Sequence, residues 1–292
     1  MTPSRRSSWT KISALVSDVD GTLVSDDKTL TAGTKSAVAA LRACGINFSI
    51  ISSRPPRGLR TLIDPLAITT PVAGFNGGVI ATPDLSVIDA HLVSPEIARR
   101  AVDMLDARQV QVWIFNGLDW LLRDRNGPYV GLEEHTIGFR PTVVKDFGDL
   151  LDAAAKIVGV SEDFELLAQC ERELRTTLAD RATVARSQPY YLDITHLLAN
   201  KGVALSELAR LLAVPLTEIA VIGDGANDVA MFARSGLSIA MGNASPEVQR
   251  AADFVTESNR DDGFAAAIER FILGHDRLGD RTEMAIARDR AW

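Results

Sequence analysis

Residues 16–24 read Val-Ser-Asp-Val-Asp-Gly-Thr-Leu-Val, and this stretch constrains the chain more than any other. It closes a run, Lys11-Ile12-Ser13-Ala14-Leu15-Val16, that is short, apolar and branched, as a buried strand is. Side chains two apart on an extended backbone point the same way, so Asp18 and Asp20 leave the strand end as a pair. Gly21 lets the chain turn sharply and exposes backbone N–H groups at that point. Two carboxylates held so close repel each other, and a bound divalent cation relieves the repulsion. An acidic turn after a strand is common in itself, so the pair acquires meaning only from the rest of the chain.

Beyond the pair the chain settles into a βα rhythm. Thr34 to Ala43 has helical spacing and strong helix formers, and Gly45 stops it. Ile46 to Ile51 returns to a strand pattern and runs into Ser52-Ser53-Arg54-Pro55-Pro56. Strand, helix and strand make the unit of a parallel sheet, whose ligands gather beyond the carboxyl ends of the strands. Ser52 stands there, with a hydroxyl able to donate to a phosphate oxygen. Leu59 to Leu66 reads as a further helix and Pro71 to Gly74 as a short strand leading to Phe75-Asn76-Gly77-Gly78, a turn region with a hairpin.

Near residue 83 the rhythm changes. Residues 83–187 are expected to form a compact α+β insert. Its elements are a helix at Pro95–Ala107, a hairpin from Val110–Phe115 and Trp120–Arg123, and a strand at Lys156–Val160. A helix at Phe164–Leu178 and closing strands near Arg181–Arg186 and Tyr190–Ile194 complete it. Trp113, Trp120, Tyr190 and Tyr191 are expected mainly to fill the core of this small domain. Residues 11–82 and 188–274 would then form the parallel-sheet core, with tails at 1–10 and 275–292.

The βα rhythm resumes at Lys201, which opens a helix at the end where the helix dipole disfavours a cation. Ile219-Ala220-Val221-Ile222 is a buried-strand run that discharges into Gly223-Asp224-Gly225-Ala226-Asn227-Asp228. Asp224 stands at the strand end, and Asp228, one helical turn on, can face the same side. The glycines here do not make a dinucleotide fingerprint. Leu237–Ala240 and Phe254-Val255 read as the last strands, and Ser245-Pro246-Glu247 as a helix start.

Composition narrows the functional classes. With 292 residues, 46% hydrophobic and 24% charged, the chain buries a core and divides naturally into two domains. A net charge of −7 argues against a nucleic-acid surface. No apolar run approaches the roughly 20 residues that span a bilayer. Cys44 and Cys170 form neither a disulfide framework nor a zinc site. A cytoplasmic protein with reduced thiols is expected, its oligomeric state unspecified. Asn243-Ala244-Ser245 matches a glycosylation triplet, read as coincidence without a secretion signal.

Asp18-Val19-Asp20-Gly21-Thr22, Ser52, Lys201, and Gly223-Asp224-Gly225-Ala226-Asn227-Asp228 occur in the order and on the elements of four motifs. Together they resemble the haloacid dehalogenase (HAD) superfamily. The length of the insert between the second and third motifs resembles the larger α+β (C2-type) cap of the Cof-like phosphatases. The resemblance implies an α/β fold, a Rossmann-like parallel-sheet core with an inserted cap that sets specificity. It also implies Mg²⁺ as cofactor and small phosphomonoesters such as sugar phosphates as substrates. Asp18 would be the nucleophile and Asp20 the acid and base. Ser52 and Lys201 would hold the phosphoryl oxygens. Asp18, Asp224 and the backbone carbonyl of Asp20 would bind the metal, with Asp228 behind them. Gly21, Ser53, Arg54, Asn76, Gly77 and Asn227 match positions near substrate. One departure is local: Ser52-Ser53-Arg54 stands where these relatives usually carry Thr-Gly-Arg. Two other readings fit the same motifs: a phosphotransferase or mutase on this scaffold, and a non-catalytic ligand-binding homologue.

Overall fold

The computed structural model describes residues 11–274; the tails expected at 1–10 and 275–292 lie outside the described residues. Five strands form the central sheet, in the spatial order Phe254–Val255, Leu237–Ala240, Ile219–Gly223, Ala14–Ser17 and Asn47–Ile50. Every pairing in it is parallel. The two middle strands are buried along their whole length because both faces of the sheet are covered. Alternation along the strands assigns the faces. Leu15, Ala220 and Ile222 pack with Val38, Leu41 and Phe264, while Ala14, Val16, Ile219 and Val221 pack with Leu205, Leu208 and Met231. Helix Ala32–Ala43 begins at Thr31, whose side chain accepts from the Thr34 N–H at 3.0 Å, and helix Lys201–Leu212 begins at Asn200, which accepts from the Val203 N–H at 3.0 Å.

A three-stranded antiparallel sheet comes next: Val72–Gly74, Val79–Ala81 and Val87–Ala90. The bridge Ile51–Ala73 ties it to the end of the second core strand. Beyond it the chain enters a six-stranded sheet in the order Thr183–Gln188, Tyr191–Thr195, Lys156–Val160, Gln111–Asn116, Asp119–Leu122 and Thr142–Val143. Helices Pro95–Asp106 and Phe164–Leu178 cover one face of this sheet with a core that includes Leu105, Ile114, Leu167 and Leu192. The opposite face carries Trp113, Phe115, Trp120 and Val158, and Phe75 and Val79 from the core side pack into the same cluster. Trp113 and Trp120 are each 1% exposed and fill that cluster.

Sheet membership corrects both expected boundaries. The Val87–Ala90 strand lies beyond residue 83 yet pairs with Val79–Ala81, so the chain leaves the core later than residue 83. A division at residue 187 would cut the hairpin between Thr183–Gln188 and Tyr191–Thr195, whose strands pair directly. Helix Val130–Ile137, the short strand Thr142–Val143 and the helical segments from Gly263 to Leu273 are not read from the sequence. The first is short and only weakly amphipathic, and the strand has two residues and is fully exposed.

Candidate active site

The parallel strands deliver their carboxyl ends to one edge of the sheet, and the polar residues collect there. Asp18 directly follows the Ala14–Ser17 strand, and its N–H still donates to the Ile222 carbonyl at 2.9 Å. It is 6% exposed. Lys201, 1% exposed, donates to Asp18 Oδ1 and, at 2.6 Å, to Asp228 Oδ1. A buried cation at the first position of a helix is thus explained: two buried carboxylates flank it. Burial works against the Lys201 charge, but Asp18 and Asp228 outweigh it and hold the ammonium above its ordinary value.

Asp228 is completely buried and its other oxygen is also committed. Oδ2 accepts from the N–H groups of Asp224 and Gly225, at 2.9 and 2.8 Å. Asp228 therefore fastens Lys201 to the loop after the Ile219–Gly223 strand and orients Asp224. A Cβ on Gly223 would lie 2.4 Å from the Asp228 carboxyl carbon, so this position admits no side chain.

Asp224 accepts from Thr22 Oγ1 at 3.1 Å and from Asn243 Nδ2 at 3.2 Å. Gly21 has φ +84°, and a Cβ there would come within 2.3 Å of Asp224 Oδ2. The glycine after the Asp pair is thus required both by its left-handed turn and by the approach of Asp224.

Carboxylate oxygens of Asp18, Asp224 and Asp228 lie within 4.8 Å of one another. Burial pushes Asp18 well above the ordinary carboxylate range; Lys201 opposes this, while Asp228 and Asp224 add to it. Asp224 is raised as well, first by burial and then by the charge of Asp228. Three acids facing one ammonium leave an excess of negative charge, which suits a hard divalent cation. Asp228 is the least accessible of the three, completely buried with both oxygens held by Lys201 and two backbone N–H groups.

Asp20 points differently. Arg54 Nε and Nη2 donate to its two oxygens at 2.8 and 2.7 Å, and Lys28 Nζ approaches Oδ1 at 2.8 Å. Burial works against its charge, but the hydrogen bonds and charge of Arg54, with help from Lys28, hold the carboxyl at about 2. Lys28 reaches this position from a residue with φ +64°, in a turn closed by its N–H donating to the Ser25 carbonyl at 2.9 Å.

The second motif is held from behind. Ser52 is 1% exposed, and its Oγ accepts from the Arg54 N–H at 3.1 Å. The Phe75 and Asn76 N–H groups donate to the carbonyls of Arg54 and Ser52 at 2.9 and 2.7 Å, so the turn braces this loop. Phe75 and Asn76 both have positive φ, 51° and 58°, a strained pair beside the site. Asn227 Nδ2 donates to Asn76 Oδ1 at 3.0 Å and joins this turn to the fourth motif. Ser53 is half-buried beside them. Gly77 has φ +98°, and a Cβ there would lie 2.5 Å from the Ala204 Cβ, so a glycine lets this turn pack closely against helix Lys201–Leu212.

Three further residues join the site. Asn243 donates to the Gly21 carbonyl at 2.9 Å as well as to Asp224, and accepts from the Asn259 N–H at 3.0 Å. Thr22 and Lys28 complete the group. The rule that drew attention to Ser52 and Asp224 also reaches Asn243, three residues beyond the Leu237–Ala240 strand. For Lys28 the chain carries no comparable signal, because its reach depends on the Ser25–Thr29 turn.

Known proteins resemble this chain in sequence and in fold. A family model for haloacid dehalogenase-like hydrolases matches residues 15–268, nearly all of the described chain. The chain belongs to the haloacid dehalogenase-like hydrolases. It is 26% identical over 261 residues to YxeH of Bacillus subtilis, covering 88% of this chain and 97% of that one. It is 24% identical over 262 residues to the 5-amino-6-(5-phospho-D-ribitylamino)uracil phosphatase YcsE of the same organism, covering 90% and 96%. A crystal structure of a haloacid dehalogenase-like hydrolase from Bacteroides thetaiotaomicron superposes with a TM-score of 0.82 at 28% identity, covering 89% of this chain and 99% of that one. In this HAD-like chain the candidate site lies at the carboxyl edge of the core sheet, and the insert leaves and rejoins the core beside it. No helix among the described residues is long and apolar enough to cross a membrane.

Proposed function

We propose that this HAD hydrolase is a Mg²⁺-dependent phosphatase that cleaves small, sugar-phosphate-like phosphomonoesters through an aspartyl-phosphate. The observation that carries the reading is the buried chain Asp18–Lys201–Asp228, with Asp224 facing Asp18. Asp18 and Asp224, with the Asp20 carbonyl, would hold Mg²⁺, which supplies charge neutralisation and polarisation of the phosphoryl group. A carboxylate oxygen of Asp18 forms a bond to phosphorus as the ester P–O bond breaks. Lys201, which donates to that carboxylate, and the Ser52 hydroxyl would stabilise the charge on the phosphoryl oxygens. Asp20 gives its proton to the leaving oxygen, then takes one from the water whose oxygen displaces Asp18 from phosphorus. The products are the alcohol and inorganic phosphate. In the resting arrangement Asp20 is an anion bound to Arg54 and Lys28, so this proton donation requires the pair to open and the carboxyl to be protonated.

A broad panel of phosphate esters, assayed for phosphate release with and without Mg²⁺, tests the reading. Release that requires Mg²⁺ supports it. Failure to cleave any member overturns it in favour of a binding protein. Appearance of a new phosphate ester in an acceptor-rich mixture would assign a transferase instead.

A further inference from the structure

Two loops far apart in the chain meet behind the acidic pocket. The first is the turn after Asp18, which carries the Asp20 carbonyl and Gly21. Val24 closes it, pairing back to Asp20 through an isolated parallel bridge, with its N–H donating to the Val19 carbonyl at 3.1 Å. The second follows the Phe254–Val255 strand and is braced against the end of strand Leu237–Ala240. The Thr256 N–H donates to the Ala240 carbonyl at 2.9 Å, and the Gly242 N–H donates to the Glu257 carbonyl at 3.0 Å. Thr256 Oγ1 donates to the Gly263 carbonyl at 2.8 Å, and a Cβ on Gly263 would lie 2.0 Å from the Glu257 carbonyl oxygen, so this loop is also closed on itself.

Asn259 stands where the two loops meet and is 5% exposed. Its Nδ2 donates to the Val24 carbonyl at 3.2 Å and to Asp26 Oδ1 at 3.1 Å, while its N–H donates to Asn243 Oδ1 at 3.0 Å. The last of these bonds decides how Asn243 lies. An N–H can only donate, so the Asn243 amide turns its oxygen toward Asn259 and its nitrogen toward the Gly21 carbonyl and Asp224. One residue thus reaches both the turn that bears the Asp20 carbonyl and the amide that touches Asp224. The helical turn Asn259–Asp261 does not itself call for an asparagine, because Ser258 caps it, accepting from the Arg260 N–H at 3.2 Å.

We infer that Asn259 is a positioning residue of the metal site, whose side chain fixes the turn bearing the Asp20 carbonyl and whose N–H fixes the Asn243 amide. Mg²⁺ demands near-octahedral oxygens about 2.1 Å away, so a donor free to wander costs affinity even where the altered group never touches the ion. Arg260 makes a useful contrast. Its Nε donates to Asp26 Oδ2 at 2.7 Å, so it holds the outer part of the same turn and neither Val24 nor Asn243. The inference rests on the Mg²⁺ reading of the site and adds to it a residue that touches neither ion nor substrate.

The test titrates magnesium chloride against melting temperature in the full chain and in its Asn259→Ala, Asn259→Pro and Arg260→Ala variants. Proline is admissible because position 259 opens the short helix and Ser258, at φ −73° and ψ 162°, already has the extended conformation required before it. Asn259→Ala drops the side-chain bonds and keeps the N–H, so its Mg²⁺ midpoint should rise by about tenfold. Asn259→Pro drops the N–H as well, and its midpoint should rise further, within the span of about 10- to 100-fold that groups behind a ligand command. Arg260→Ala should keep the parent's midpoint. A merely structural role lowers the melting temperature alike at every Mg²⁺ concentration and leaves the midpoint in place. Asn259 variants whose midpoints overlay the parent's therefore overturn the inference alone, as does an Arg260→Ala midpoint displaced as far as that of Asn259→Ala. If the alanine variant fails to fold, Asn259→Ser, whose single donor cannot serve both acceptors, carries the same comparison. A parent whose melting temperature does not rise with Mg²⁺ overturns the Mg²⁺ reading and the inference with it.

Discussion

Arg54 grips Asp20 with both arms of its guanidinium fork, Nε to Oδ2 at 2.8 Å and Nη2 to Oδ1 at 2.7 Å. Planar, bidentate pairing of this kind is the strongest ordinary way to hold a carboxylate, and Arg54 is itself only 4% exposed at its side chain. The loop that carries it replaces the Thr-Gly-Arg of the resembling families with Ser52-Ser53-Arg54, yet the arginine reaches the second aspartate of the first motif unimpeded. The hydroxyl is retained as well, bound to the Arg54 N–H.

Removing that fork should be visible in stability before activity is considered. The Asp20 carboxyl lies at about 2, below its ordinary 3.8. A depressed carboxyl contributes stability that is fully present above 3.8 and lost as pH falls toward 2. Arg54→Met should therefore cost on the order of 1–2 kcal/mol at neutral pH, with Lys28 left to hold Asp20. Urea unfolding of parent and variant at pH about 7 and about 3 checks this: the gap between them should narrow at the lower pH. A gap of equal size at both pH values would show that Arg54 acts through packing rather than through the Asp20 charge.

Asp18→Asn separates chemistry from folding. The amide is a poor nucleophile, so turnover should fall by about a thousandfold or more. The fold should survive, because the change removes one member of a crowded acidic group whose mutual repulsion and burial raise Asp18 and Asp224. A melting temperature equal to or above the parent's, with phosphate release gone, is the expected pair of results. A correctly folded Asp18→Asn chain with normal turnover would sink the covalent mechanism.

The range of the forces involved decides how much of the fold and the site is legible in the sequence. The motif residues Asp18, Asp20, Ser52, Lys201, Asp224 and Asp228 sit on strand ends and helix starts, where local pattern fixes direction, and the structure brings them to one edge. Local pattern does not show which oxygen each group holds. Asp228 reads as one of several acids, and only the fold reveals that it uses one oxygen on Lys201 and the other on two backbone N–H groups. Gly77 reads as a loop residue near substrate, and local pattern does not show that Ala204, far along the chain, leaves no room for a side chain there. Asn243 is hidden behind an irrelevant triplet match. The ends of the insert fall elsewhere than expected because strands Val87–Ala90 and Tyr191–Thr195 take their partners from sheets that the boundary composition does not announce.

Asn243 offers a separate measurement because it touches both sides of the acidic pocket, the Gly21 carbonyl and Asp224 Oδ2. Groups that orient a ligand from behind commonly change metal affinity by about 10- to 100-fold. A cation that binds the folded chain raises its melting temperature with concentration. Titrating Mg²⁺ against the melting temperature should therefore give a sigmoid in the parent, displaced to higher Mg²⁺ in Asn243→Ala and abolished in Asp224→Ala. An Asp224→Ala titration that overlays the parent would remove Asp224 from the metal site without recourse to any activity assay.

The last expectation concerns the two connections between the core and the insert. His91 follows the Val87–Ala90 strand on the outward path and His196 follows the Tyr191–Thr195 strand on the return path. Their rings stack at 5.5 Å and 19°. The charged groups around them are few: Asp89 Oδ2 is 3.9 Å from His91 Nε2, Glu207 feels His91, and Arg210 is drawn to Glu207 and Asp89. His196 is lowered from its ordinary 6.5, by burial first and then by His91. The unfolded chain therefore takes up the His196 proton before the folded one does. Stability is greatest above 6.5 and declines as pH falls through that value toward the folded one. Charging both rings would also set like charges against each other at the point where the two connections meet. His196→Gln should flatten the loss of melting temperature between pH about 8 and about 5.5, because it removes the group whose protonation the fold opposes. If His196→Gln loses as many degrees as the parent over that interval, the acid sensitivity resides in other groups and the stacked pair is only a packing contact.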